Sequence, residues 1–130
     1  MSNYLVDVKD FKTSEELNKY LTYQEEHLFE CLRGTNHALK PKEIKNFVPE
    51  LARHWKSYLN TPGVSSSDQK RAIIHCAELV RFHSKHQYSI DYEKLIQDSN
   101  PEKLNALEIT LRQQEPTLED MLIVRDLRLK

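Results

Sequence analysis

The sequence predicts an all-α fold, an irregular bundle of five to six helices, and three observations carry that expectation. Only two glycines, Gly34 and Gly63, occur in 130 residues, whereas sheet-rich folds of this length need glycine at many tight reversals. Apolar residues recur at three- and four-residue spacing along most of the chain, the period of a helix that buries one face. Small polar residues stand just ahead of these runs, where their side chains can accept the unpaired N–H groups of a helix start.

Residues 3 to 11 read as a short extended lead-in, with Tyr4, Val6 and Val8 alternating with Leu5, Asp7 and Lys9. The first helix is expected over 14 to 33. Thr13 and Glu16 have capping-box spacing, and Leu17, Tyr20, Leu21, Leu28, Cys31 and Leu32 share one face. Gly34 can adopt the left-handed conformation that ends it. A second helical stretch covers 41 to 60. Pro41 suits a first helical position, and Ile44, Val48, Leu51, Trp55 and Leu59 form a stripe widened by Phe47, Ala52 and Tyr58. Pro49 removes a backbone hydrogen bond, but the stripe stays in phase across it, so one kinked helix or two consecutive helices fit.

Residues 60 to 67 are a loop. Ser66 and Gln69 offer the next capping box, for a third helix over 68 to 86 with Ala72, Ile73, Cys76, Ala77, Leu79 and Val80 on its apolar face, joined by His83. That wide face predicts a central place for the helix, with Trp55 and Phe47 packed on it. A short helix around 91 to 98 uses Tyr92, Leu95 and Ile96. Asn100 followed by Pro101 starts another, to about 114, which buries Leu104, Leu107 and Leu111. Thr117 and Asp120 cap a last helix from 118 to about 128, and a strand pairing with residues 3 to 8 is the alternative there.

The chain has the length of one domain, 1 to 130. It can bury about two-thirds of its unfolded surface without metal or disulfide. Cys31 and Cys76 are expected as buried thiols. The first residues lack a basic stretch followed by an apolar core, and no run reaches the roughly 20 apolar residues of a membrane span. The cytoplasm is the expected compartment, with no membrane association.

Charge is unevenly laid out although the net charge is only −1. Residues 1 to 32 carry three basic and seven acidic side chains, residues 33 to 86 ten and four, and residues 87 to 130 six and nine. The middle also holds His37, His54, His75, His83 and His86, five of the six histidines. On the third helix Lys70, Arg71, Arg81 and Lys85 share the polar face, with Ile74 and Phe82 among them. These six residues are the candidate partner-binding surface, extended by Lys42, Lys45, Arg53 and Lys56. Such a face can bind an acidic protein surface with Phe82 as anchor, or phosphates and a base. It can equally be a solvated face whose apolar members touch another helix of the same fold. Acidic flanks that fold back onto the basic middle would cancel the field a phosphate backbone feels.

Several chemistries find no support. Gly63 before a basic helix resembles the turn of a helix-turn-helix unit, but Pro62 and Gln69 occupy places that need apolar residues. His27 with Glu30 and His75 with Glu78 are His-x-x-Glu pairs, the reverse of the Glu-x-x-His order of di-iron bundles. His83 and His86 point about 60° apart and no Cys pair completes a zinc set, so no metal site is expected. His75 and Cys76 are adjacent on a helix and project about 100° apart, too far for a nucleophile and its base. His75 has bulky neighbours unlike a phosphotransfer histidine. No glycine-rich phosphate loop or dinucleotide fingerprint occurs. The expectation is a non-enzymatic helical module of regulator, inhibitor or adaptor type, without cofactor, acting through protein–protein contacts. A second copy is one candidate partner, its acidic ends meeting this copy's basic middle. Nucleic-acid binding through region 33 to 86 is the alternative.

Overall fold

The computed structural model describes residues 4–86, 94 and 100–128, and five helices are delimited among them. They are α1 (Ser14–Arg33), α2 (Pro41–Tyr58), α3 (Ser66–His86), α4 (Pro101–Leu111) and α5 (Leu118–Asp126), preceded by a 3-10 turn at Val8–Asp10. The short helix expected around 91 to 98 lies outside the described residues.

Local chemistry accounts for the boundaries. The Thr13 hydroxyl accepts the Glu16 N–H at 3.1 Å and starts α1. Gly34, at φ +80°, ends it, and the Thr35 N–H returns to the Glu30 carbonyl, which satisfies carbonyls the helix leaves open. The Glu43 carboxylate accepts the Lys40 N–H ahead of α2, and α2 then runs through Pro49 as one helix. The cap of α3 is Ser65, not Ser66, because the Ser65 hydroxyl accepts the Asp68 N–H at 3.1 Å. This register puts an aspartate in the first turn, where the helix dipole favours a negative charge. Asn100 caps α4. Thr117 and Asp120 cap α5 reciprocally, at 3.0 and 2.9 Å. The last segment is therefore helix.

The extended lead-in is corrected to a 3-10 turn and irregular chain. No strand is present among the described residues, so an extended segment there has no edge to pair with. Its N–H groups go to side chains instead: Tyr4 donates to the Glu50 carboxylate and Val6 to the Tyr20 hydroxyl, both at 2.9 Å.

The core is built where the stripes predict it. On α2, Ile44, Phe47, Val48, Leu51, Ala52, Trp55 and Tyr58 are each at most 2% exposed. Full burial of one such large side chain stabilises the fold by about 1.5–3 kcal/mol. The central helix is α3, which packs on α2, α4 and α5, while α1 packs chiefly on α2. The Trp55 ring meets α3 at His75, and the Phe47 ring meets Tyr4 edge-on. The chain ends also dock on α2. The His54 ring bridges the carbonyls of Glu50 and Val6, and the Lys56 ammonium donates to those of Arg125 and Leu127. Residues two apart on a helix project about 200° apart, so the two ends lie on opposite flanks of α2. No helix among the described residues is long and apolar enough to cross a membrane.

Candidate functional site

The basic face expected on α3 is thinned by pairing within the chain, and one of its six members, Ile74, is buried. Lys70 pairs with Glu115 at 2.7 Å. Arg81 pairs with Glu78 at 2.5 Å, Asp120 at 2.7 Å and Glu119 at 3.3 Å. Arg71 reaches Asp68 only at 4.0 Å. Ile74 is 0% exposed and belongs to the core. Phe82 is half-buried and lies against the His86 ring, with centroids 4.4 Å apart. Of the six residues only Arg71 and Lys85 are exposed. The physical reason is that α4 and α5 cover α3 on sides a two-face projection leaves to solvent. The acidic C-terminal region folds back onto the basic middle, and Arg33 of the middle pairs with Glu108 of α4. Among the extending residues, Lys42 and Lys45 are exposed, Arg53 is half-buried, and Lys56 holds the C-terminal segment.

Arg81 is the hub that fastens α5 to α3. Burial pushes the Glu78 carboxyl up, against the pull of Arg81. Burial acts the same way on Asp120, but the Thr117 backbone N–H and the Arg81 guanidinium outweigh it and hold that carboxyl below its ordinary range.

His83, expected in the core, is half-buried at the seam between α2 and α3. Burial, then the charges of Arg53 and Lys45, lower its pKa from the ordinary 6.5. A depressed folded value means stability that is fully present above the unfolded pKa and lost as pH falls through the folded one. The protein is therefore expected to lose melting temperature below about pH 6.5, and His83→Gln to flatten that part of the profile. An unchanged profile in calorimetry from pH 7 to 5 would remove His83 from the account.

Sequence periodicity does not reveal a buried carboxylate–imidazole contact between α1 and α3. Glu25 of α1 and His75 of α3 are 4% and 7% exposed, and Glu25 Oε2 meets His75 Nδ1 at 2.5 Å. The tilted Trp55 ring lies on the imidazole, 5.1 Å between centroids. Glu25 Oε1 is sealed from solvent and accepts no hydrogen bond from the described residues, and the Trp55 indole N–H finds no acceptor. The signal was present in α1. Glu25 is four residues after Leu21 and three before Leu28, so it fills a gap in the apolar stripe where a charge needs a partner.

This pair lines an open cleft of about 560 Å³. Its walls come from one face of α1 (Thr22, Glu25, Glu26, Phe29, Glu30, Arg33), from Arg71 and His75 of α3, and from Glu108, Leu111 and Arg112 at the end of α4.

A different surface is apolar. On α5, Leu118, Met121 and Leu122 are 69%, 44% and 39% exposed. Their i, i+3, i+4 spacing places them on one face. Val6, Tyr23 and Ile109 are also exposed, but each stands on a different element, and scattered apolar residues are ordinary on a surface.

Both cysteines are buried thiols. Burial raises Cys31 and pushes Cys76 up to about 12, and the Cys76 thiol donates to the Ala52 carbonyl. Neither offers a thiolate at neutral pH. No group of three metal-ligating side chains converges among the described residues. Comparison of the chain with protein-family models, with curated proteins and with solved structures gave no match.

Proposed function

We propose that this protein is a non-enzymatic binding module whose docking surface is the apolar face of α5, and that its partner is an amphipathic helix of another protein. The observation that carries the reading is the triplet Leu118, Met121 and Leu122, held exposed within two turns of a helix. A reciprocal cap and the Arg81–Asp120 bridge fix that helix, so the apolar face is presented by an ordered platform. Helix-in-groove and helix-on-helix recognition use this spacing of anchors. Exposed Glu119 and Arg125 supply a charged rim at the two ends of the stripe. The surface replaces the basic face of α3, whose charges are largely taken up within the chain.

The test places a photo-crosslinking residue at position 118, identifies the captured partner, and repeats binding with both proteins purified. Leu118→Glu and Leu122→Glu are expected to weaken binding by about tenfold or more with unchanged circular dichroism. Lys42→Ala, Lys45→Ala and Lys85→Ala are expected to change it less than about twofold. The reverse pattern, with steep salt dependence on single- or double-stranded nucleic acid, would overturn the reading in favour of phosphate recognition.

A further inference from the structure

We propose that the cleft between α1, α3 and α4 binds a small zwitterion of the amino-acid class, its ammonium toward the α1 carboxylates and its carboxylate toward Arg71 and Arg112. This site is separate from the α5 surface and does not depend on it.

The walls of the cleft carry opposite charges that do not close on each other. Glu25, Glu26 and Glu30 line it from α1, and Arg71 and Arg112 line it from α3 and the end of α4. Glu26 and Arg112 are exposed and make no ion pair among the described residues. Among the described residues Arg71 pairs only with Asp68, at 4.0 Å, and Glu30 takes one long side-chain hydrogen bond from Asn36. Across the cleft, Arg33–Glu108 and Glu25–His75 are the pairs that meet among the described residues. The other charged side chains stay apart across a space of about 560 Å³, within the range of small-molecule sites.

Glu25 and His75 form the buried part of the wall. Glu25 is 4% exposed, and its Oε1 accepts no hydrogen bond. That residue lines both the cleft and the narrow apolar gap beneath it, beside Leu28 and Leu111. The Oε1 oxygen is closed to solvent, so Glu25 gives the inner wall negative charge and not an open acceptor. His75 uses Nδ1 for Glu25, which leaves Nε2 as its other ring nitrogen. With one ring nitrogen donating to a carboxylate, the other is the one left for a ligand.

The charge pattern selects the ligand class. A simple amine would meet Arg71 and Arg112, and a simple carboxylate would meet Glu25, Glu26 and Glu30. A molecule carrying both groups satisfies both walls.

The experiment is titration of the full chain, followed by amide and imidazole NMR signals, with glycine, 4-aminobutyrate and 6-aminohexanoate, and with n-butylamine and butyrate as single-charge controls. At least one amino acid is expected to saturate, shift the His75 imidazole, and bind about tenfold or more tightly than either control. Arg112→Gln, on the exposed rim, is expected to weaken that binding about tenfold while the fold stays intact, and Glu25→Gln to weaken it as well. Equal binding of n-butylamine, an Arg112→Gln variant that binds unchanged, or no saturation by any probe up to about 10 mM each overturns the proposal.

Discussion

Replacing His75 with leucine is expected to destabilise the protein by about 3–5 kcal/mol, because it strands a charged group inside the fold. The Glu25 carboxylate would lose its one protein hydrogen bond, and its other oxygen already has none. Leucine at 75 would still pack beside Trp55, so the loss reports the polar partner and not a large void. Glu25→Leu is expected to cost less, about 1–3 kcal/mol, since it leaves only an imidazole N–H without an acceptor. The informative variant is the double one. Glu25→Leu with His75→Leu removes both polar groups and is expected to return to wild-type stability or exceed it, as replacements of buried ion pairs by apolar residues often do. Urea unfolding of the four proteins gives the coupling directly. A His75→Leu loss below about 1 kcal/mol, the scale of an exposed pair, would mean that solvent reaches the carboxylate.

Arg81→Met is the second large effect. The guanidinium serves Glu78, Glu119 and Asp120 at once, and methionine keeps the stem while deleting the charge. The expected cost is about 2–4 kcal/mol, below that of a sealed pair because Arg81 is 31% exposed and solvent screens it. Hydrogen exchange should show α5 losing protection first, since Arg81 is the polar bolt that holds it to α3. The pH dependence gives a second readout. In the wild type, the depressed Asp120 carboxyl contributes stability that is present above its unfolded value of 3.8 and is lost as pH falls through the lower folded one. Without Arg81 that contribution shrinks, and Glu78, already pushed up by burial, rises further and takes a proton more easily. The stability gap between wild type and Arg81→Met is therefore expected to narrow as pH falls from 7, through Glu78 first and through Asp120 only below 3.8. A constant gap from pH 7 down to about pH 3 would show that the carboxylates are not what the arginine stabilises.

Helix existence, type and most boundaries were legible because they depend on local chemistry. Thr13, Asn100 and Thr117 cap the helices they were expected to cap, and Gly34 takes the left-handed turn. On α3 the departures arise because periodicity reports an average face and not how many neighbours cover a helix. A helix with partners on three sides buries residues such as Ile74 that fall on its nominal polar side. The lead-in was misread because alternation predicts a strand only where a second strand exists to pair with. The Glu25–His75 pair joins positions 50 residues apart, and no local pattern specifies which buried histidine answers which buried carboxylate. The ion pairs of Lys70 and Arg81 depend in the same way on where the C-terminal helices land.

The folding back of acidic segments onto basic ones shapes how a partner would arrive. Charges paired within about 3 Å of each other, as Lys70–Glu115 and Arg81–Asp120 are, form short dipoles whose fields decay well inside the Debye length of about 8 Å at physiological salt. A molecule approaching from further away meets little of these pairs and more of the net charge of −1 and of exposed side chains such as Lys42 and Lys45 on α2. Neither lysine lies on α5, and association through that helix would proceed near the unsteered rate of about 10⁵–10⁶ per molar per second, with little dependence on salt. Discrimination between partners would fall to residence time, set by how well a partner covers Leu118, Met121 and Leu122.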